Sequence, residues 1–269
     1  MESKTEEVER LRRVAVETAV SAGKLAREMW TKPREISYKG FRDLVTDADI
    51  ATQKQITQTI QARFPNHGFL TEEEDSDLPE AGPIIWIIDP IDGTTNYSRK
   101  IPEFCVSVAA CLPIAEGYQP IAAAIYDPMR DELFSAAQGQ GATLQLGNQT
   151  PQTLQVSQVS DLSEVVFALD WSSASQTRTD ALQILNRFAE KSYTVRTIGT
   201  AALAMAWVAA GRIDFYFNLH LRPWDVAAAM LLVQESGGAV AAPDGSPLVW
   251  DVNGIACVMS NGRLAIKLE

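Results

Sequence analysis

The first thirty residues place apolar side chains at three- and four-residue steps. Val8, Leu11, Ala15, Ala19, Ala22, Ala26 and Met29 recur with charges between them. That period is the stripe of an amphipathic helix, and Pro33, soon after Trp30, marks its stop. A second helix is expected over 47–64, with Ile56, Ile60 and Phe64 on one stripe. Thr46 is its N-cap, and Thr46-Asp47-Ala48-Asp49 fits a capping-box-like pattern. Pro65-Asn66-His67-Gly68 then breaks the chain.

Beyond this point the apolar period shortens. Ile84-Ile85-Trp86-Ile87-Ile88 is a continuous, largely β-branched run, the mark of a strand buried on both faces. Further strands are expected over 104–111, 121–126, 132–136, 142–146, 165–169, 213–217 and 255–260, and helices over 179–191, 200–210 and 226–235. Gly237-Gly238 ends the last helix. Helices and strands interleave around an antiparallel middle, which predicts a layered α+β fold. No repeat, low-complexity tract or clear linker divides the chain. A single domain over 1–269 is expected, with two sub-lobes dividing near 140–160.

Composition narrows the chemistry. The 269 residues make one large domain or two small ones at roughly 150 residues each. The net charge of −11 argues against nucleic acid and against an anionic membrane surface, and suits a protein that holds cations. Cys105, Cys111 and Cys257 form no CxxC pair, so neither a disulfide framework nor a thiolate metal site is expected. Two histidines, His67 and His220, cannot build a His-rich zinc site and read as surface or structural residues. The first residues lack the apolar core of a signal peptide, and the longest apolar run, 201–210, is too short to span a bilayer. The expected location is the cytoplasm.

The stretch richest in candidate chemistry is Trp86-Ile87-Ile88-Asp89-Pro90-Ile91-Asp92-Gly93-Thr94-Thr95-Asn96. The strand is expected to end at Asp89, with Pro90 at the second position of a tight turn and Asp92 returning three residues on. Such a turn brings two carboxylates to one side, where they repel unless a cation lies between them. Gly93 lets the backbone approach a ligand, and Thr94-Thr95 opens a helix whose free N–H groups accept an anion. Alone, Asp-Pro-x-Asp reads as an exposed turn capping a helix. Two other acidic features favour a shared site. In Thr71-Glu72-Glu73-Glu74, Glu73 and Glu74 read as solvated loop. In Pro223-Trp224-Asp225, Asp225 falls in the first turn of a helix, where it also complements the dipole. Oxygen ligands without Cys or His select Mg²⁺, Mn²⁺ or Ca²⁺, and Mg²⁺ with a phosphate substrate is the commonest pairing of this kind.

These residues resemble the inositol monophosphatase family of magnesium-dependent, lithium-sensitive phosphatases. Lys39-Gly40 with Asp43 to Asp49 resembles its N-terminal motif, and Phe69-Leu70-Thr71-Glu72-Glu73 its Gly-Glu-Glu motif, with Thr71 for the glycine. Trp86 to Tyr97 resembles its first signature, and Trp224-Asp225-Val226-Ala227 through Gly237-Gly238 its second. The resemblance implies an α-β-α-β-α sandwich and a homodimer. It implies that Glu72, Asp89 and the Ile91 carbonyl bind one Mg²⁺, and Asp89, Asp92 and Asp225 a second, with a weaker third held through Glu72; Mn²⁺ is an alternative ion. Backbone N–H groups of Gly93 and Thr94 would bind phosphate. Thr94, hydrogen-bonded to Asp49, would orient the attacking water, giving Thr94, Asp49 and Glu72 catalytic roles. Gly199-Thr200-Ala201 would lie near the substrate. Asn218 stands where many members carry a substrate-contacting glutamate, which puts the substrate rather than the reaction in question.

The implied activity is hydrolysis of inositol 1-phosphate or a related polyol or sugar phosphate, with no nucleic-acid or membrane partner. Histidinol-phosphate phosphatase, fructose-1,6-bisphosphatase and nucleotide-directed 3′-phosphatases are alternatives from the same superfamily. A non-catalytic metal- and phosphate-binding regulator is the alternative from another class.

Overall fold

The computed structural model describes residues 4–33, 35–40, 43–172, 175–264, 266 and 268. The side chains of Lys39 and Asp43 are outside the described set, so the candidate Lys39 is placed only by its backbone. In chain order the elements are α1 (Lys4–Trp30), β1 (Ile36–Gly40), β2 (Asp43–Thr46), α2 (Asp47–Arg63), β3 (Gly68–Thr71), β4 (Ile85–Asp92), α3 (Thr94–Ser98), β5 (Cys105–Ile114), β6 (Gly117–Asp127), β7 (Glu132–Ala137), β8 (Gly141–Leu146) and β9 (Gln152–Thr153). After a 3₁₀ turn at Leu162–Glu164 come β10 (Val166–Leu169), α4 (Ser175–Ala189), β11 (Thr194–Arg196), α5 (Ala201–Ala209), β12 (Phe215–Leu221), α6 (Pro223–Glu235), β13 (Ala239–Ala241) and β14 (Ile255–Ser260).

The strands form a β1–β2 hairpin, a seven-stranded sheet in sequential order β3 to β9, and a five-stranded sheet ordered β11-β10-β12-β14-β13. The period-2 alternation of β4 shows how the large sheet is covered. Trp86 and Ile88 pack with Val8, Leu11, Ile56 and Ile60 of α1 and α2, whereas Ile85 and Ile87 pack with α5 and α6. The small sheet alternates likewise. Ala168, Tyr216, Cys257 and Met259 face α5 and α6, while Phe167, Leu169, Phe215 and Phe217 meet Ala181 and Ile184 of α4. The layers therefore run α, β, α, β, α, as the resemblance implied. The middle pair is apolar nearly all round because both its faces are covered: α5 buries eight of its nine residues.

Helices α1 and α2 fall close to their expected bounds, and the stripe of α1 is buried from Val8 to Ala26. Several expected bounds need correction, among them that of β6, which begins at Gly117 and not at 121. Helix α4 begins at Ser175 and α6 at Pro223, each a few residues before the expected start, because the apolar stripe appears only after the first turn. Strand β12 runs from Phe215 to Leu221 and not over 213–217, since its partner β14 continues the pairing out to Leu221–Ile255. The short strands β1, β2, β3, β9, β11 and β13 were not expected; at two to five residues they carry too little pattern to read.

Candidate metal and phosphate site

Strand β4 does not end in a tight turn at Asp89. Pairing with β5 continues from Asp89–Ser107 to Asp92–Cys105, so β4 spends three residues where β5 spends two. This is a β-bulge, and it accommodates Pro90, which has no N–H to give the ladder. In a regular strand, residues three apart point to opposite faces. The extra residue cancels that alternation and brings Asp89 and Asp92 together. Glu72 follows the parallel strand β3, where Thr71 pairs with Ile88; the Glu72 N–H donates to the Ile88 carbonyl at 3.2 Å. Asp225 enters from the first turn of α6. One of its oxygens accepts from the Arg222 N–H at 2.7 Å at the start of α6, so the acid serves the helix and the cluster together.

Ligand oxygens of Asp89, Asp92 and Asp225 all lie within 4.8 Å of one another. Burial, then the charges of Glu72, Asp92 and Asp225, push the Asp89 carboxyl far above the usual carboxylate range. Burial raises Asp92 too, against hydrogen bonds from Thr200, Ala202, Ala201 and Cys105. Asp225 is pushed up to about 7 by burial and by Asp92. Asp89 Oδ1 is buried with no hydrogen-bond partner among the described residues. A buried acceptor of this kind is costly unless something fills it, and a cation fits. All the converging donors are oxygens, which suits a hard divalent ion. Cys105 touches Asp92 Oδ2 at 3.7 Å, but burial holds its thiol protonated, so it adds no thiolate.

Gly93 links the bulge to α3 in the left-handed region, at φ 101°. A Cβ there would meet the Glu103 and Gly199 carbonyls at 3.1 Å and Thr200 Cβ at 3.2 Å. The Thr94 hydroxyl lies 3.3 Å from Asp49 Oδ1 and 3.1 Å from the Ile91 carbonyl. Asp49 Oδ2 accepts from the Thr46 N–H at 2.8 Å and its hydroxyl at 2.5 Å. The two contacts of Asp49 coexist: one oxygen caps α2 and the other faces Thr94. Burial pushes Asp49 up to about 6, with the Thr46 and Thr94 hydrogen bonds opposing.

A cleft of about 1340 Å³ opens over these groups. Glu72, Asp92, Gly93, Thr94, Gly199, Ala201, Asn218 and Asp225 all line it. Thr200 is buried behind it and donates to Asp92 Oδ2 at 2.6 Å. The Asn218 amide is largely occupied internally: Nδ2 donates to the Tyr216 hydroxyl at 3.2 Å and Oδ1 accepts the His220 N–H at 2.9 Å. Glu73, expected as solvated loop, is instead buried at 8% exposure, because Gln53 of α2 grips its backbone through two hydrogen bonds of 2.7 and 3.0 Å. Glu74 is exposed as expected. His67 is structural, stacked on Phe64 and accepting from Trp86 Nε1 at 3.0 Å. His220, also expected to be surface or structural, lines the cleft. Asp170 also lines the cleft and was missed, since a lone aspartate after a strand carries no motif. Burial and the charge of Asp92 push it up to about 7, with the Gly199 and Ile198 amides opposing.

The sequence matches the profile of the Inositol monophosphatase family over residues 7–268. The chain belongs to the inositol monophosphatase family. Relatives within and beside that name include the Escherichia coli K12 protein called Nus factor SuhB, 39% identical over 231 residues that cover 85% of this chain and 83% of the relative. The Dictyostelium discoideum inositol monophosphatase is 34% identical over 247 residues, covering 89% and 86%. Among solved structures, the suhB extragenic suppressor protein of Bartonella henselae superposes with a TM-score of 0.83 at 32% identity, covering 93% of each chain. The inositol monophosphatase of Anabaena gives 0.79 at 31% identity, covering 96% and 92%. The family and its layered fold are thereby established for this chain. No helix among the described residues is long and apolar enough to cross a membrane.

Proposed function

We propose that this protein is a Mg²⁺-dependent phosphomonoesterase acting on inositol 1-phosphate or a related polyol or sugar phosphate, built as one domain over 1–269. The observation that carries the reading is the buried carboxylate cluster with its unpartnered Asp89 oxygen, set beside the Gly93–Thr94 backbone. Glu72, Asp89, Asp92, Asp225 and the Ile91 carbonyl would hold the ions. Bound there, Mg²⁺ would neutralise the phosphate's charge, supply a nucleophilic water near neutral pH and support the leaving oxygen. The protein's own groups do the aiming. The Gly93 and Thr94 N–H groups, at the start of α3, have no intrahelical acceptor and suit phosphate oxygens. The Thr94 hydroxyl donates toward Asp49 or Ile91, which leaves its lone pairs to accept from a water and direct it at phosphorus.

Phosphate release with Mg²⁺ over a panel of inositol, sugar, histidinol and nucleotide phosphates tests this reading; activity across polyol phosphates supports it, and none on any substrate refutes it. Li⁺ resembles Mg²⁺ in size with half its charge, so LiCl should inhibit more than KCl at equal ionic strength. Equal effects of the two salts would count against that. The relatives named Nus factor SuhB favour a second reading, a regulator whose cluster binds metal and phosphate without turnover. Tight Mg²⁺ binding with no release from any panel member would favour it.

A further inference from the structure

The turn carrying Gly199 and Thr200 is gripped from two sides. Asp170 sits one residue past the end of β10, and its Oδ1 accepts the Ile198 N–H at 3.1 Å and the Gly199 N–H at 2.7 Å. Opposite, Asn96 of α3 donates from Nδ2 to the Ile198 and Glu103 carbonyls, each at 2.9 Å. The turn has no slack: Gly199 sits at φ 80°, and a Cβ there would lie 2.7 Å from Asn96 Nδ2. Just beyond it, Thr200 Oγ1 and the Ala202 N–H both donate to Asp92 Oδ2 at 2.6 Å. One oxygen of Asp170 thus fixes two amides, and two donors on the same short segment fix one oxygen of Asp92. Asp170 itself is not a member of the carboxylate cluster.

We propose that Asp170 is a positioning residue: through the 198–202 turn it sets the place of the Asp92 carboxylate, and so the cation affinity of the cluster. This rests on the reading of that cluster as a cation site, and it is independent of the substrate. A merely structural Asp170 would stabilise the strand end without touching metal binding.

The test is Mn²⁺ binding to the whole protein, read by paramagnetic resonance and calorimetry. It compares wild type with Asp170→Ala, Asp170→Asn, Thr200→Val and the double variant Asp170→Ala/Thr200→Val. Loss of a group that orients a ligand weakens metal binding by about 10- to 100-fold, which is expected for Asp170→Ala. Asp170→Asn keeps an acceptor oxygen in place, so its loss should be clearly smaller. Because both residues act on one carboxylate oxygen, the double variant should lose less than the product of the two single losses. Should Asp170→Ala fail to fold, Asp170→Ser, too short to reach both amides, takes its place. At low Mg²⁺ the loss should also lower turnover, with recovery as Mg²⁺ is raised. Wild-type Mn²⁺ affinity in Asp170→Ala, equal damage in Asp170→Asn, or a strictly multiplicative double variant would overturn the proposal. Absence of Mn²⁺ binding in the wild type would overturn the cation reading beneath it, and the proposal with it.

Discussion

Asp89 and Thr94 set the residue scale of the account. Thr94 has one hydroxyl hydrogen and two acceptors in reach, and under the proposed function its lone pairs would aim the water. Thr94→Ala removes that aim but no carboxylate. It should lower kcat by about 10²-fold with little change in Mg²⁺ affinity, as removal of a proton-positioning group does. Steady-state kinetics with a Mg²⁺ titration checks this; a loss confined to metal affinity would refute the role. Glu72, Asp89, Asp92 and Asp225 were legible as candidates because their motifs, weak singly, point to one site when taken together, and the structure brings the ligand oxygens of the three aspartates within 4.8 Å of one another. Glu73 and Asp170 were not, since what defines them is a long-range partner: Gln53 for one, the Ile198 and Gly199 amides for the other. Asn218 was legible as a departure, while the engagement of its amide by Tyr216 and His220 needed the structure.

The element that matters most is β4 with its exit. Its apolar run announced a strand buried on both faces, and the alternation of Trp86 and Ile88 against Ile85 and Ile87 shows why every residue is apolar. The bulge was hidden because Pro90 signals a turn as readily as a bulge. Gly93 completes the device, as its left-handed backbone lets α3 start beside the carboxylates. Gly93→Ala places a methyl within 3.1 Å of two carbonyls at a positive φ. A side chain in the left-handed region costs roughly 1–2 kcal/mol. The variant should lose about that much stability in urea unfolding, and KM should rise as the phosphate-facing backbone shifts. Wild-type stability and KM together would show that this backbone is not under the constraint described.

At the scale of the whole molecule, seven- and five-stranded sheets sandwich an apolar helix pair, and the acids collect where the large sheet, α6 and the 198–202 turn converge. Several carboxyls are held above their ordinary values there: Asp225 and Asp170 up to about 7, Asp49 up to about 6, and Asp89 and Asp92 raised. A carboxyl raised in the folded state binds its proton more tightly there than in the unfolded chain. Its stabilisation is therefore complete below about pH 4 and is lost as pH rises toward 7. With a chelator present, the thermal midpoint should fall across that window once general acid effects are set aside. Under the proposed function Mg²⁺ should restore most of the loss at pH 7.5, since an ion that binds only the folded cluster stabilises the folded state. A midpoint that rises from pH 5 to 7.5 in chelator, or that ignores Mg²⁺, would contradict the account. That helices and strands form layers was legible from their periods, because the long elements repeat their pattern, whereas the α-β-α-β-α order came only with the family resemblance. The convergence of the layers on one cleft is set by sheet order, which no local pattern records.

The most direct test is phosphate release from inositol 1-phosphate at saturating Mg²⁺ by wild type and Asp89→Asn, with folding of both checked by thermal melting. Asp89 belongs to the cluster, and its buried Oδ1 has no partner among the described residues. The account predicts turnover in the wild type, turnover lost in Asp89→Asn, and a metal-free melting midpoint at pH 7.5 that is equal or higher in the variant, because one repelling charge is gone. Near-normal turnover by Asp89→Asn would contradict it.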